Sequence, residues 1–119
     1  MIPELSVFDI ERTKKFYREL GFKIEYERTE DKFVFMSFQD SQFMFEQIHD
    51  NGWNIGELIY PLGRGINFSI AVDDIEGLYK LVKTLNLEIY RELNRSIYQV
   101  NGTEETQTEF LIQDPNGYL

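Results

Sequence analysis

Ser6-Val7-Phe8-Asp9-Ile10-Glu11 is the stretch of sequence that decides the fold, because its pattern returns in the second half of the chain. The second copy is Ala71-Val72-Asp73-Asp74-Ile75-Glu76, and each of its residues stands 65 positions after its counterpart. In both copies an apolar strand ends at an acidic turn and residues with helical spacing follow. Two copies are too few for a solenoid. The repeat therefore predicts a pair of related modules whose sheets meet, with a ligand between them.

The first half of the chain predicts a βαβββ module over residues 1–49. Asp9 is suited to cap a helix, and Gly21 stands where the end of that helix favours a left-handed residue. Polar turns separate the apolar runs that follow the helix. The predicted elements are a strand at residues 4–7, a helix at 10–20, and strands at 22–28, 33–38 and 42–48.

A glycine-rich connector, residues 50–65, separates this module from a second one at residues 66–119. The second module is predicted to hold a strand at 66–72, a helix at 75–85, and strands at 88–92, 96–100 and 109–112. Asp114-Pro115-Asn116-Gly117 is a strong turn signal, and Tyr118-Leu119 is interpreted as the start of a final strand that is cut short. The sequence therefore predicts a single α+β domain.

Composition narrows the classes of function. The 119 residues suffice for one domain with its own core. Twelve Lys and Arg against 21 Asp and Glu give a net charge of −9, which argues against nucleic acid and anionic membranes and favours cationic ligands, unless it serves only solubility. The absence of cysteine excludes disulfides, thiolate metal sites and a cysteine nucleophile. Neither a signal peptide nor a membrane-spanning run is evident, so a cytoplasmic protein is expected.

The chain resembles the vicinal-oxygen-chelate superfamily, which includes glyoxalase I, extradiol dioxygenases, and fosfomycin and bleomycin resistance proteins. The residues that carry the resemblance are Leu5-Ser6-Val7-Phe8-Asp9, Phe16-Tyr17, Leu20-Gly21-Phe22, residues 67–73 and residues 109–118. The resemblance covers almost the whole chain. It implies two βαβββ modules that form a curved mixed sheet around a cleft, in a homodimer that often exchanges modules between its subunits.

Metal-dependent members of this superfamily place four ligands on the concave face. The resemblance puts the first position on Ile2, the second on Glu46 and the third on Asn67, while the fourth falls beyond Tyr118. A divalent metal requires three or four converging N or O donors, and isoleucine supplies none. His49, the single histidine, lies outside the pattern. We therefore expect neither a catalytic metal site nor another cofactor.

Without a metal, the nearest match is the bleomycin resistance type, which sequesters its drug without chemistry. Glu30-Asp31-Lys32-Phe33 resembles the acidic segment that lines the binding groove of that family. Thr106 stands where some drug-binding members have a tryptophan. The resemblance thus implies an antibiotic resistance protein that binds a cationic or aromatic ligand, such as a glycopeptide-type antibiotic, in the cleft of a homodimer. The alternatives are a metal-dependent glyoxalase-like or dioxygenase-like enzyme that uses Glu46 and residues beyond Leu119, and a module that serves only in assembly.

Six residues are candidates for ligand binding: Phe33, Phe35, Met44, Glu46, Trp53 and Asn67. If Phe43 and Phe45 face the helix, strand alternation points Met44 and Glu46 into the cleft. Periodicity leaves open which face Phe33 and Phe35 take, and the resemblance favours the cleft.

Each of the other candidates has an alternative interpretation. Glu46 is either a partner for a cation or a solvated strand residue. Asn67 either donates hydrogen bonds to a ligand or ties down the module junction. Trp53 is either a stacking surface or a lid over the core. Asp9 and Asp74 are interpreted as helix caps and not as a catalytic acid pair.

Overall fold

The computed structural model describes residues 1–119 and contains two helices and six strands. They are β1 (Glu4–Val7), α1 (Ile10–Glu19), β2 (Lys23–Arg28), β3 (Phe33–Phe38), β4 (Ser41–Gln47), α2 (Ile75–Thr84), β5 (Ile89–Val100) and β6 (Thr103–Ile112). They belong to two units, one of residues 1–71 with 114–119 and one of residues 72–113. The first unit therefore includes residues 66–71 and 114–119, which the sequence analysis placed in the second module. The predicted α+β class is confirmed.

The first unit contains the predicted βαβββ arrangement. Its sheet has the order β1-β4-β3-β2, with β1 parallel to β4 and the other pairs antiparallel, so the sheet is mixed. Helix α1 begins where the sequence predicts, because the Asp9 carboxylate accepts hydrogen bonds from the backbone N–H groups of Glu11 (3.0 Å) and Arg12 (3.2 Å). Gly21 follows the helix with φ +105°, a conformation that residues with a Cβ rarely adopt.

The core of the first unit lies between α1 and one face of this sheet. The Tyr17 ring centroid is 4.7 Å from that of Phe45 and 6.5 Å from that of Phe43. Val34, Met36 and Phe45 are all completely buried. Phe43 and Phe45 thus face the helix, which was the condition for Met44 and Glu46 to lie on the opposite face.

The Asp114–Gly117 turn packs against α1 through a buried hydrogen-bond network. The Asp114 carboxylate accepts from the Tyr17 hydroxyl (2.8 Å) and from the backbone N–H groups of Asn116 (2.8 Å) and Tyr118 (3.0 Å). The Asn116 amide donates to the Thr13 hydroxyl (3.1 Å). Burial, with the nearby Asp114 charge, raises the pKa of Tyr118 to about 12 and that of Tyr17 well above 10, so both remain neutral donors at pH 7. The predicted turn is confirmed, and its role is to join two distant parts of the chain.

Two predicted strands at the edges of the second module are not formed. Residues 66–72 have no strand conformation, and neither do residues 118 and 119. A strand requires a partner for its backbone groups, and the backbone link between these segments is one hydrogen bond, from the Phe68 N–H to the Leu119 carbonyl (2.9 Å). The second unit therefore begins at its helix and is not a complete βαβββ module.

The second unit consists of α2 and a long hairpin. Asp74 caps α2 by accepting a hydrogen bond from the Gly77 N–H (3.0 Å), as predicted. The prediction of three short strands was wrong, because β5 runs without a break from Ile89 to Val100 and pairs with β6. Asn101-Gly102, with φ 51° and 78°, forms the two-residue turn between them. Neither of the ten-residue helices has the length and apolarity that a membrane span requires.

Candidate functional site

The face of the first sheet opposite α1 carries a set of aromatic and acidic side chains. Phe33 pairs with Glu46 and Phe35 pairs with Met44 across β3 and β4, so all four lie on one face. The neighbouring strands β1 and β2 add further side chains to it by the same registers. We call this surface the aromatic–acidic face and define it by Glu4, Tyr26, Arg28, Phe33, Phe35, Met44 and Glu46.

A pair of carboxyl groups lies on this face where β1 and β4 are adjacent. Burial raises the pKa of Glu4, and so do a hydrogen bond with Glu46 and the charge of Glu46, while the Arg28 charge lowers it. The Glu46 carboxylate also lies 3.1 Å from His49 Nε2. Two carboxyl groups in contact bind a proton or another cation more readily than either alone. The pair is therefore a point of concentrated negative charge beside the aromatic rings.

Arg28 covers the aromatic part of the face. Its Cζ lies 4.1 Å from the ring centroid of Phe33 and 5.7 Å from that of Tyr26. Its Nε donates to the Asp31 carboxylate at 2.9 Å, within the turn that joins β2 to β3. Phe33 is only 6 % exposed although it lies opposite the helix-covered core face. The Arg28 guanidinium is a flat cation, and it already covers the Phe33 ring that a ligand would contact.

Four of the six predicted site residues come together on the aromatic–acidic face: Phe33, Phe35, Met44 and Glu46. The other two lie outside the strands that form this face. Trp53 is 97 % exposed in the connector, so its interpretation as a lid over the core is wrong, and its role as a stacking surface stays a prediction. Asn67 is exposed within residues 66–72, and its role also stays a prediction.

Sequence reasoning missed Glu4, Tyr26, Arg28 and His49. For Glu4 the signal was present, because Leu5 and Val7 are buried core residues and alternation places Glu4 on the other face. Tyr26 and Arg28 lie on this face because Arg28 pairs with Phe33 and Tyr26 with Phe35. A register shift between Ile24 and Tyr26 alters the alternation along β2, so its pattern alone would not show this.

The residues at the metal-ligand positions do not fit a metal. Ile2 has a hydrocarbon side chain, so of the three positions within the chain only Glu46 and Asn67 carry donor atoms. No group of three or more His, Cys, Asp or Glu side chains is placed to hold a metal ion. Glu46 and Asn67 supply fewer than the three or four donors that a divalent metal requires.

Comparisons with known proteins agree with the fold and the resemblance. Residues 1–38 match the family model "Bleomycin resistance protein-like N-terminal". A probable chloroplastic lactoylglutathione lyase from Arabidopsis thaliana is 37 % identical over 120 residues, which cover 94 % of this chain but only 31 % of that protein. The chain thus spans under a third of the length of this relative.

Two solved structures are similar to the chain over nearly its whole length. A glyoxalase/bleomycin resistance protein/dioxygenase superfamily member from Vibrio splendidus is 36 % identical, with 97 % of this chain and 89 % of that one covered and a TM-score of 0.43. A bleomycin-binding protein complexed with bleomycin is 20 % identical, with 99 % and 91 % covered and a TM-score of 0.64, and it shares the fold. With the family model matched over residues 1–38 and a relative 37 % identical over 94 % of the chain, the chain belongs to the vicinal-oxygen-chelate superfamily.

Proposed function

We propose that this protein is a metal-free binding protein of the bleomycin resistance type, which takes up a cationic aromatic small molecule on its aromatic–acidic face. The observation that carries the proposal is the presence of Phe33, Phe35 and the Glu4–Glu46 pair on one face of one sheet. Rings supply apolar contact area, and the carboxyl pair supplies a partner for positive charge. A cationic glycopeptide antibiotic carries both aromatic rings and positive charge. Sequestration of such a drug in the cytoplasm would give resistance.

The charge of the whole chain supports a cationic ligand. A net charge of −9 on 119 residues produces a negative potential that raises the local concentration of cations at low ionic strength. That field is not specific for one site. The Glu4–Glu46 pair would supply the local charge that orients a ligand, because it lies beside rings on which a flat group can stack.

Glu46→Gln should weaken the binding of cationic aromatic compounds roughly tenfold or more, because a hydrogen bond to a charged group contributes about 1.5–3 kcal/mol. Phe33→Ala should weaken neutral and cationic aromatics alike, since it removes contact area and not charge. Isothermal titration calorimetry at low salt measures both. Glu57→Gln, at an exposed connector residue, is the matched control for charge. Equal affinity of the wild type and Glu46→Gln would identify Glu46 as a solvated strand residue.

Binding of a permanently charged cation, such as benzyltrimethylammonium, should weaken as the pH falls from 7 toward 4.5. Burial and the contact with Glu46 raise the pKa of Glu4 above 4.5, so Glu4 takes up a proton within this range and the pair loses one negative charge. Affinities measured across this range should be flatter in Glu4→Gln than in the wild type. His49→Gln separates the contribution of the imidazole beside Glu46. A wild-type profile identical to that of Glu4→Gln would contradict the role of Glu4.

The alternative function is that of a metal-dependent enzyme. The observation in its favour is the 37 % identity to a probable lactoylglutathione lyase. Against it stands the hydrocarbon side chain of Ile2 at the first ligand position. Metal analysis of the purified protein separates the two functions, since stoichiometric metal with a loss of thermal stability on chelation would favour the enzyme.

We further propose that the protein acts as a homodimer. The second unit supports this, because its two-stranded sheet leaves strand edges unpaired although α2 packs on it. Its side chains near the turn include the exposed Ile97, Tyr98 and Val100. Sedimentation at micromolar concentration tests this assembly, and a folded monomer would contradict it.

A further inference from the structure

We propose that Arg28 is a displaceable internal occupant of the Phe33 ring, and that it makes the aromatic–acidic face selective for planar cations of the amidinium and guanidinium class. This inference rests on the proposed function and adds the ligand class and the side chain that competes with the ligand. It follows from three features of Arg28: where its guanidinium lies, how it is held, and which charges it faces.

The position of the guanidinium is that of a bound planar cation. Its Cζ lies 4.1 Å from the Phe33 ring centroid and 5.7 Å from that of Tyr26. A flat cation at this distance gains from both the ring quadrupole and stacking contact. The covered side of the ring accommodates one such group at a time. An external ligand that uses this side of Phe33 must therefore replace the guanidinium.

Arg28 is held by a hydrogen bond with Tyr26, which is 52 % exposed, and by an ion pair with Asp31. Both partners lie at the surface, so the attachment is weak enough for replacement. The ion pair with Asp31 has a 2.9 Å contact, but the two side chains are 39 % and 53 % exposed. Ion pairs this exposed are screened by water and contribute little to stability. The two residues lie at the ends of the four-residue turn from Arg28 to Asp31, in which the Asp31 N–H donates to the Arg28 carbonyl (3.2 Å). The side chain can swing toward solvent while this backbone turn stays intact.

The charges beside Arg28 select the chemistry of its replacement. The guanidinium lowers the pKa of Glu4, so it partly neutralises the carboxyl pair formed with Glu46. A ligand that displaces it must restore positive charge near Glu4 and also present a flat surface to Phe33. Amidinium and guanidinium groups on an aromatic ring satisfy both requirements. An alkylammonium satisfies only the first, because it has no planar face.

The test uses benzamidinium and its neutral analogue benzamide as probes, with calorimetry on the wild type, Arg28→Ala and Arg28→Lys. Arg28→Ala should bind benzamidinium on the order of tenfold more tightly, since the ring side is vacant and the carboxyl pair is no longer neutralised. The affinity for benzamide should rise less, because benzamide is uncharged and profits only from the vacant side of the Phe33 ring. Arg28→Lys should give a smaller gain for benzamidinium, since lysine keeps the charge but lacks the flat group.

Arg18→Ala is the matched control, because it removes the same charge from an exposed position on α1. If Arg28→Ala binds benzamidinium no more tightly than Arg18→Ala does, Arg28 is not a competitor and the inference is wrong, while binding by the wild type would leave the proposed function intact. If no variant binds benzamidinium or benzyltrimethylammonium, both fail. Melting temperatures verify that each variant is folded. If Arg28→Ala is unfolded, Arg28→Lys becomes the test, and an affinity for benzamidinium equal to that of the wild type would overturn the inference.

Discussion

Asp114→Ala should lower the free energy of unfolding by about 3–5 kcal/mol. The carboxylate is 5 % exposed and accepts hydrogen bonds from the Tyr17 hydroxyl and from the backbone N–H groups of Asn116 and Tyr118. Alanine would leave these buried donors without an acceptor, at a cost of about 1–3 kcal/mol for each donor that water cannot reach. Urea unfolding measures the loss.

Asp50→Ala is the control for Asp114→Ala, because Asp50 is exposed in the connector and its replacement should change stability by less than about 0.5 kcal/mol. The loss of unfolding free energy in Asp114→Asn should lie between those of the two alanine variants, since the amide oxygen keeps one acceptor while its NH2 group faces donors. A loss below about 1 kcal/mol for Asp114→Ala would show that the Asp114–Gly117 turn is not an essential tie between the two ends of the first unit.

Phe45→Ala should destabilise the protein by about 3–5 kcal/mol, because it removes a completely buried ring from the core. Phe45 lies against Tyr17 of α1 and against Phe43, with ring centroids 4.7 and 5.9 Å away. The cavity left behind would be lined by aromatic side chains that cannot close it without moving α1. Urea or thermal unfolding with matched protein concentrations measures the effect.

Phe35→Ala is the matched control for Phe45→Ala: the same change, on the neighbouring strand and the opposite face. Phe35 is half-buried, so its loss should cost less than half as much. An equal cost for the two substitutions would mean that the aromatic–acidic face is core and not a binding surface. The comparison therefore tests the assignment of faces on which the proposed function depends.

Most of the first unit could be predicted because its signals are local. Asp9 caps α1 within its own turn, and Gly21 ends the helix by its own φ. In the second unit Asn101-Gly102 was an equally local signal that the sequence analysis did not use, and the long hairpin follows from it. Residues 66–72 are apolar enough for a strand, but a strand forms only when a partner satisfies its backbone groups.

The candidate site was predictable only in part. Alternation along β4 separates Phe43 and Phe45 from Met44 and Glu46, once one set is known to face the helix. Along β3 both alternating sets are apolar, so the pattern alone does not assign Phe33 and Phe35 to a face. Only the pairing of Phe33 with Glu46 made that assignment.

The sequence by itself determined the helix caps, the Asp114–Gly117 turn and the short motifs that carry the resemblance to the superfamily, because each depends on residues close together in the chain. The tertiary structure alone decided that Glu4 meets Glu46 and that Arg28 covers Phe33. These contacts depend on which strands pair and in which register, and a shift of one residue would move every side chain of a strand to the other face. The charge and the rings of the proposed site therefore come together only when the sheet forms.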